Sequence, residues 1–175
     1  MSTLQTHLDL SAVNAMERSA FTAALGDIFE HSPWVADAAW AVRPFGSVRA
    51  LHEAMMDGVR ASSKARQIEF LRGHPPLSGS AVRAGSMTSD SIAEQKSAGL
   101  EALSATEEQT LDRLNRAYEA RHGFPFIVCV RHYTRAGIFA EFESRTSREP
   151  AQELAEALRQ VGFITRLRLA ARVSA

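Results

Sequence analysis

The sequence predicts an all-α fold: a single-domain bundle of about seven to nine helices, with at most a short strand-like segment near 124–142. Three observations carry this. Apolar residues recur at helical spacing through most of the chain, and the breaks between these stretches hold proline, glycine or serine in capping positions. Only Phe124–Val130 and Gly137–Phe142 read as strand-like, being rich in β-branched and aromatic residues, and Gly137 could turn the first onto the second.

Taken in order, Phe21, Leu25, Ile28 and Phe29 paint one apolar face on a helix over 14–30, with Asn14 and Glu17 in capping-box spacing. Ser32-Pro33 starts a second helix carrying Trp34, Val35 and Ala38, and Pro44 ends it. A third begins near Ser47 with Leu51, Met55 and Val59 on one side. Ser62 or Ser63 opens a fourth, with Ile68 and Leu71 inward, which stops at Gly73. The pattern vanishes from His74 to Thr88, a stretch of prolines, glycines and serines long enough to suggest a functional loop. A fifth helix starts at Ser89–Ser91 and reaches about Leu103. The sixth has Thr106-Glu-Glu-Gln109 as capping box, the stripe Leu111, Leu114 and Tyr118, and a stop at Gly123. The last begins near Pro150 and carries Leu154, Leu158, Val161 and Leu167. No internal repeat or linker divides the chain, which reads as one domain over 1–175 with its core at about 14–173.

Composition narrows the function classes. Of 175 residues, 45% are hydrophobic and 23% charged, which is ordinary for a globular protein. Twenty basic side chains balance twenty acidic ones, so general attraction to nucleic acid or an anionic membrane is not expected. The longest apolar run, Phe124–Val130, falls far short of the roughly 20 residues of a membrane span. Met1–Gln5 lacks the basic and apolar regions of a secretory signal, and the terminal Arg-Val-Ser-Ala is no peroxisomal signal, so a cytoplasmic location is expected. The single cysteine, Cys129, excludes an internal disulfide and a thiolate cluster. No two of the six histidines stand at i, i+3 or i+4 on one helix, and His122 and His132 flank the expected strand, so no metal is expected.

Common catalytic signatures (a nucleophile elbow, a P-loop, a zinc helix, a dinucleotide fingerprint) are absent. The candidate chemistry starts at Gly73-His74-Pro75-Pro76-Leu77-Ser78. Pro75 pushes His74 out of helical geometry, and an imidazole both takes and gives a proton near neutral pH. A plain surface turn is the competing reading. Ser91, Glu94 and Gln95 lie at i, i+3, i+4 and share one face near a helix start, with Ala98 and Gly99 leaving room beside it. The same Ser91-x-x-Glu94 also fits a simple capping box. Arg166, Arg168 and Arg172 fit either a helix C-terminus in solvent or, for Arg168, an inward carboxylate partner. Cys129 reads most simply as a small buried hydrophobe.

In this order and spacing, Ser32-Pro-Trp34, Arg43-Pro-Phe45, Gly73-His-Pro75 with Leu77, Ser91-x-x-Glu-Gln95 with Ala98-Gly-Leu100, Asn115-x-x-Tyr118, Gly123-Phe-Pro-Phe-Ile127 and Arg168-Leu169 form a set. The set resembles the 2-oxo-4-hydroxy-4-carboxy-5-ureidoimidazoline (OHCU) decarboxylase family, which completes the conversion of urate to allantoin. The resemblance implies an all-helical, cofactor-free enzyme that commonly dimerises and takes a small-molecule substrate. It puts His74 in the place of the catalytic histidine, and Ser91, Glu94 and Gln95 in the place of polar residues that bind the ring and ureido groups of the substrate, with Pro75 beside them; on that basis Glu94 is expected to act in catalysis by orienting the substrate hydroxyl or His74. Phe126, Ile127, Val128, Cys129 and Val130 match a segment offering backbone hydrogen bonds and an apolar wall, and Arg168 matches an arginine that contacts substrate. One departure stands out: the family usually has an aspartate where this chain has Pro76. A divergent relative acting on another carboxylated ureido or ring compound, and a non-catalytic helical binding module, are the alternative readings.

Overall fold

The computed structural model describes residues 7–175; the Met1–Gln5 segment read above for a signal lies outside them. The described residues form ten α-helices, three short 3₁₀ turns and one pair of two-residue strands, so the fold is all-α. The chain divides into two compact units, one made of the residues up to Gln67 with Gly162–Ala175, the other of Ile68–Val161.

In the first unit, β1 (Leu8–Asp9) pairs in parallel with β2 (Val173–Ser174), which follows the last helix. The expected first helix is two: α1 (Leu10–Ala15), capped by Asp9, and α2 (Arg18–Leu25), with Glu17 at its N-cap. Asn14 therefore caps nothing. It sits inside α1, where its Oδ1 accepts from Phe45 N (2.8 Å) and its Nδ2 donates to Phe45 O (2.9 Å). Pro33 opens α3 (Pro33–Ala39) as expected, because its fixed φ suits a first helical turn and its missing N–H is not needed there. Ser47 caps α4 (Val48–Arg60), its hydroxyl oxygen accepting from the Ala50 N–H. Leu51, Met55 and Val59 are buried with Phe21, Leu25, Ile28, Phe29 and Leu169 as the core of this unit.

The second unit begins within α5 (Lys64–Arg72). The stretch expected to be loop contains α6 (Gly79–Ala84), one and a half turns started by a Ser78 cap. Short and built from small residues, it has too few apolar positions to show a period. Gly79 is required there: a Cβ would stand 2.6 Å from Leu100 O. Next, α7 (Ser89–Ser97) starts from Thr88, so Ser91 is not its cap. The long α8 (Ala105–His122) has its capping box on Ser104 and Glu107, two residues before the expected one, and ends at Gly123 with φ +77°, a geometry glycine adopts without strain.

The strand expectation fails. Phe124–Cys129 pairs with no other strand, and Val130–His132 is a 3₁₀ turn. Gly137 and Phe142 belong to α9 (Arg135–Thr146), whose third residue is Gly137, donating its N–H to the capping Thr134 Oγ1. β-propensity measures fit to a half-buried pleat, and here the helix buries Ile138 and Phe142 at i, i+4 instead. Finally α10 (Pro150–Arg172) begins at its predicted proline and contributes residues to both units.

Candidate active site

The site is built on the end of α5. Gly73 and His74 donate their N–H groups to Phe70 O and Leu71 O (3.2 and 3.1 Å), satisfying carbonyls the helix would otherwise orphan. Pro75 and Pro76 then stop the helix. His74 is not a surface residue: only 7% of it is exposed, and its ring meets Phe70 edge-on at 5.4 Å and 74°. Leu77 turns into the core, and its carbonyl accepts from Asn115 Nδ2 of α8 (2.9 Å).

The face of α7 reaches the same loop. Gln95 is buried, and its carboxamide is spent on the main chain: Oε1 accepts from Ser78 N (3.0 Å), while Nε2 donates to Pro76 O (3.2 Å) and lies 3.3 Å from Met87 Sδ. One amide thus bridges both flanks of Leu77 and holds the turn behind His74. Ser91 is buried on this face, and Glu94 is half-buried beside it. Pro75 is half-buried in the loop itself.

The 3₁₀ turn Val130–His132 packs against α7. It is preceded by Phe126, Ile127, Val128 and Cys129, all buried, as is Val130. Cys129 N donates to Gln160 Oε1 at 2.9 Å. Burial pushes the Cys129 thiol above its ordinary value, and the Glu94 carboxylate adds to the rise, whereas hydrogen bonds from the Arg131 and His132 amides and the charge of Arg131 oppose it. This environment suppresses a thiolate nucleophile and fits the reading of Cys129 as a buried hydrophobe.

Arg168 stands in the other unit, where its Nη1 donates to Glu30 Oε2 at 2.9 Å, both side chains being buried. Of the two readings of this arginine, the inward carboxylate partner is the one observed. The second unit therefore gathers His74, Pro75, Ser91, Glu94, Gln95 and Phe126–Val130, while Arg168 belongs to the first. Among the described residues, no group of three or more His, Cys, Asp or Glu side chains is placed to hold a metal. What the gathered groups offer is a buried imidazole, a carboxylate and a hydroxyl on one helix face, and an apolar main-chain segment.

The OHCU decarboxylase family model matches residues 14–170. The chain belongs to the OHCU decarboxylase family. It is 41% identical over 167 residues to 2-oxo-4-hydroxy-4-carboxy-5-ureidoimidazoline decarboxylase of Haloferax volcanii, covering 95% of this chain and 97% of that protein. The enzyme of the same name from Halalkalicoccus jeotgali is 37% identical over 164 residues, with 94% and 91% covered. A crystal structure of (S)-allantoin synthase superposes with a TM-score of 0.77 at 28% identity, over 95% of this chain and 54% of that longer one.

Family motifs pointed to Asn115 without giving it a task; the structure makes it a support of the His74 loop. Gln160, Arg145 and Glu30 carried no signal at all. Gln160 lies one residue before Val161 in a helix, and nothing local distinguishes it from a solvated glutamine. Its contact with Cys129 spans 31 residues.

Proposed function

We propose that this protein is a cofactor-free carboxy-lyase that converts OHCU to (S)-allantoin in urate catabolism, with His74 as general acid/base. The observation that supports it most is the burial of His74 on a clasped turn beside the α7 face, in a chain related over nearly its full length to OHCU decarboxylases. The family model runs through residues of both compact units, which supports treating 1–175 as one functional domain.

Decarboxylation breaks the bond between the hydroxyl-bearing ring carbon and CO₂, and leaves an electron pair on that carbon. The pair flows into the adjacent ring C=N and leaves an enol; the hydroxyl then gives up its proton to become a carbonyl, while a proton delivered to one face of the neighbouring ureido-bearing carbon sets the S configuration. The protein has three tasks: to hold the carboxylate out of the ring plane, to stabilise charge on a ring oxygen, and to handle the proton. His74 handles the proton. Glu94 orients the substrate hydroxyl or His74, Ser91 meets polar atoms of the ring, Gln95 holds the turn that carries His74, and Pro75 with Phe126–Val130 encloses the ring. We also propose a cytoplasmic homodimer as the active form.

The test is direct. Freshly generated OHCU is incubated with and without the protein, and the optical activity of allantoin is followed by circular dichroism. Rapid appearance of the S enantiomer, lost in His74→Ala, is the expected result; an unchanged spontaneous rate with wild-type protein refutes the proposal.

A further inference from the structure

Two side chains from different helices grip the main chain on either side of Val128. Arg145 of α9 donates from Nη1 to Ile127 O (3.0 Å), and Gln160 of α10 accepts from Cys129 N (2.9 Å). Both peptide groups are planar and trans, so the N–H opposes the C=O in each. Fixing Ile127 C=O against Arg145 aims Val128 N–H the opposite way. Fixing Cys129 N–H against Gln160 does the same for Val128 C=O. Val128 is 4% exposed, and among the described residues neither of its main-chain polar groups has a hydrogen-bond partner. A buried donor and acceptor left together in this way call for a ligand.

The gripping groups are themselves over-determined. Arg145 and Glu153 are 0% exposed, and Arg145 Nε and Nη2 both donate to Glu153 Oε1 (2.7 and 2.5 Å). Tyr118 Oη donates to the same oxygen, and the guanidinium lies over the Phe126 ring at 4.5 Å. Gln160 Nε2 donates to Glu156 Oε1 (2.7 Å), which sets the amide with its oxygen toward Cys129. A fully buried ion pair is a poor source of stability compared with apolar packing, but it fixes geometry well.

We infer that Arg145 and Gln160 are positioning residues of the decarboxylase: together they hold Val128 N–H and C=O as an adjacent donor–acceptor pair for the amide-like edge of the substrate. This rests on the function proposed above. Gln160→Met removes the acceptor while keeping bulk, and Glu156→Gln with Gln160→Glu restores an acceptor at 160 and a donor at 156. The expected result for Gln160→Met is faster amide exchange at Cys129, a KM for OHCU raised about tenfold, and a kcat changed by less than about threefold. The exchanged pair recovers the wild-type KM. Arg145→Met with Glu153→Leu, which removes both buried charges together, raises KM in the same way. A wild-type KM in Gln160→Met despite an exposed Cys129 amide overturns the inference and leaves the function standing. Absence of turnover in the wild type overturns both.

Discussion

Two proline-containing turns, one in each unit, are held by the same device and carry different cargo. In the first, Asn14 clasps Phe45 through its N–H and C=O at 2.8 and 2.9 Å. In the second, Gln95 clasps Ser78 N and Pro76 O at 3.0 and 3.2 Å. Each carboxamide comes from a helix and matches a main-chain donor and acceptor that proline-rich turns cannot satisfy by themselves. The turn at Phe45 delivers an aromatic ring to the core against Phe21, centroids 6.3 Å apart, whereas the turn at Ser78 backs a buried imidazole. The clasp therefore says only that a turn is rigid; the residue on it says whether rigidity serves packing or chemistry.

The sharpest way to break this comparison is to change the cargo. His74→Asn should lower kcat by at least about 10²-fold with little change in melting temperature, because a general acid/base supplies that much. Phe45→Ala should do the reverse, costing about 3–5 kcal/mol of stability with kcat retained. Steady-state kinetics on OHCU and thermal melts of the two variants decide it. Equal losses of activity in both would mean that the turns do not differ in purpose.

Changing the clasp separates the turns less strongly. Asn14→Ala removes the partners of a main-chain donor and acceptor, and should lower stability by about 1–3 kcal/mol in denaturant unfolding without touching kcat. Gln95→Leu should lower stability similarly and also reduce kcat, by about tenfold, as the turn behind His74 loosens.

A third contrast concerns titration. His52 of α4 is buried, its Nε2 lies 2.9 Å from Thr165 Oγ1, and burial is the main cause holding its pKa below the ordinary 6.5. The Glu53 carboxylate partly offsets this, while Arg166 and Arg60 reinforce it. The unfolded chain then binds a proton more readily than the folded one, so stability rises with pH between the folded value and 6.5. Melting temperature should fall as pH is lowered below 6.5, and His52→Gln should flatten that slope. The smallest effect is on Cys129, whose thiol burial pushes up. Alkylation of the native protein by iodoacetamide at pH 7.5 should be far slower than that of a free thiol, and should leave most turnover intact over minutes.

Some helix ends were legible from single residues: Pro33, Ser47 and Pro150 stand where their helices begin, and Gly73 and Gly123 where others stop. Caps with two plausible readings were not. Ser91-x-x-Glu94 and Thr106-x-x-Gln109 have the right spacing, but Thr88 and Ser104 are the caps, because a helix begins where the tertiary structure lets the chain turn. In the Phe126–Phe142 region, aromatic and β-branched content pointed to strands, yet the two rings stack at 3.9 Å and 10° between an irregular segment and a helix. The residue set Ser91, Glu94 and Gln95 was correctly grouped on one face, since helical period alone places them there.

Local chemistry thus settles where several of the helices start and stop, which residues of a helix share a face, and the family pattern, but it read α6 as loop and part of α9 as strand. It does not settle what those side chains touch. That His74 is buried, that Gln95 spends its amide on the turn, and that Arg168 meets Glu30 across 138 residues are decided only in three dimensions. The reason is physical: periodicity and capping are relations between neighbours in the chain, whereas burial and hydrogen-bond choice depend on which distant groups fill the remaining space and valences.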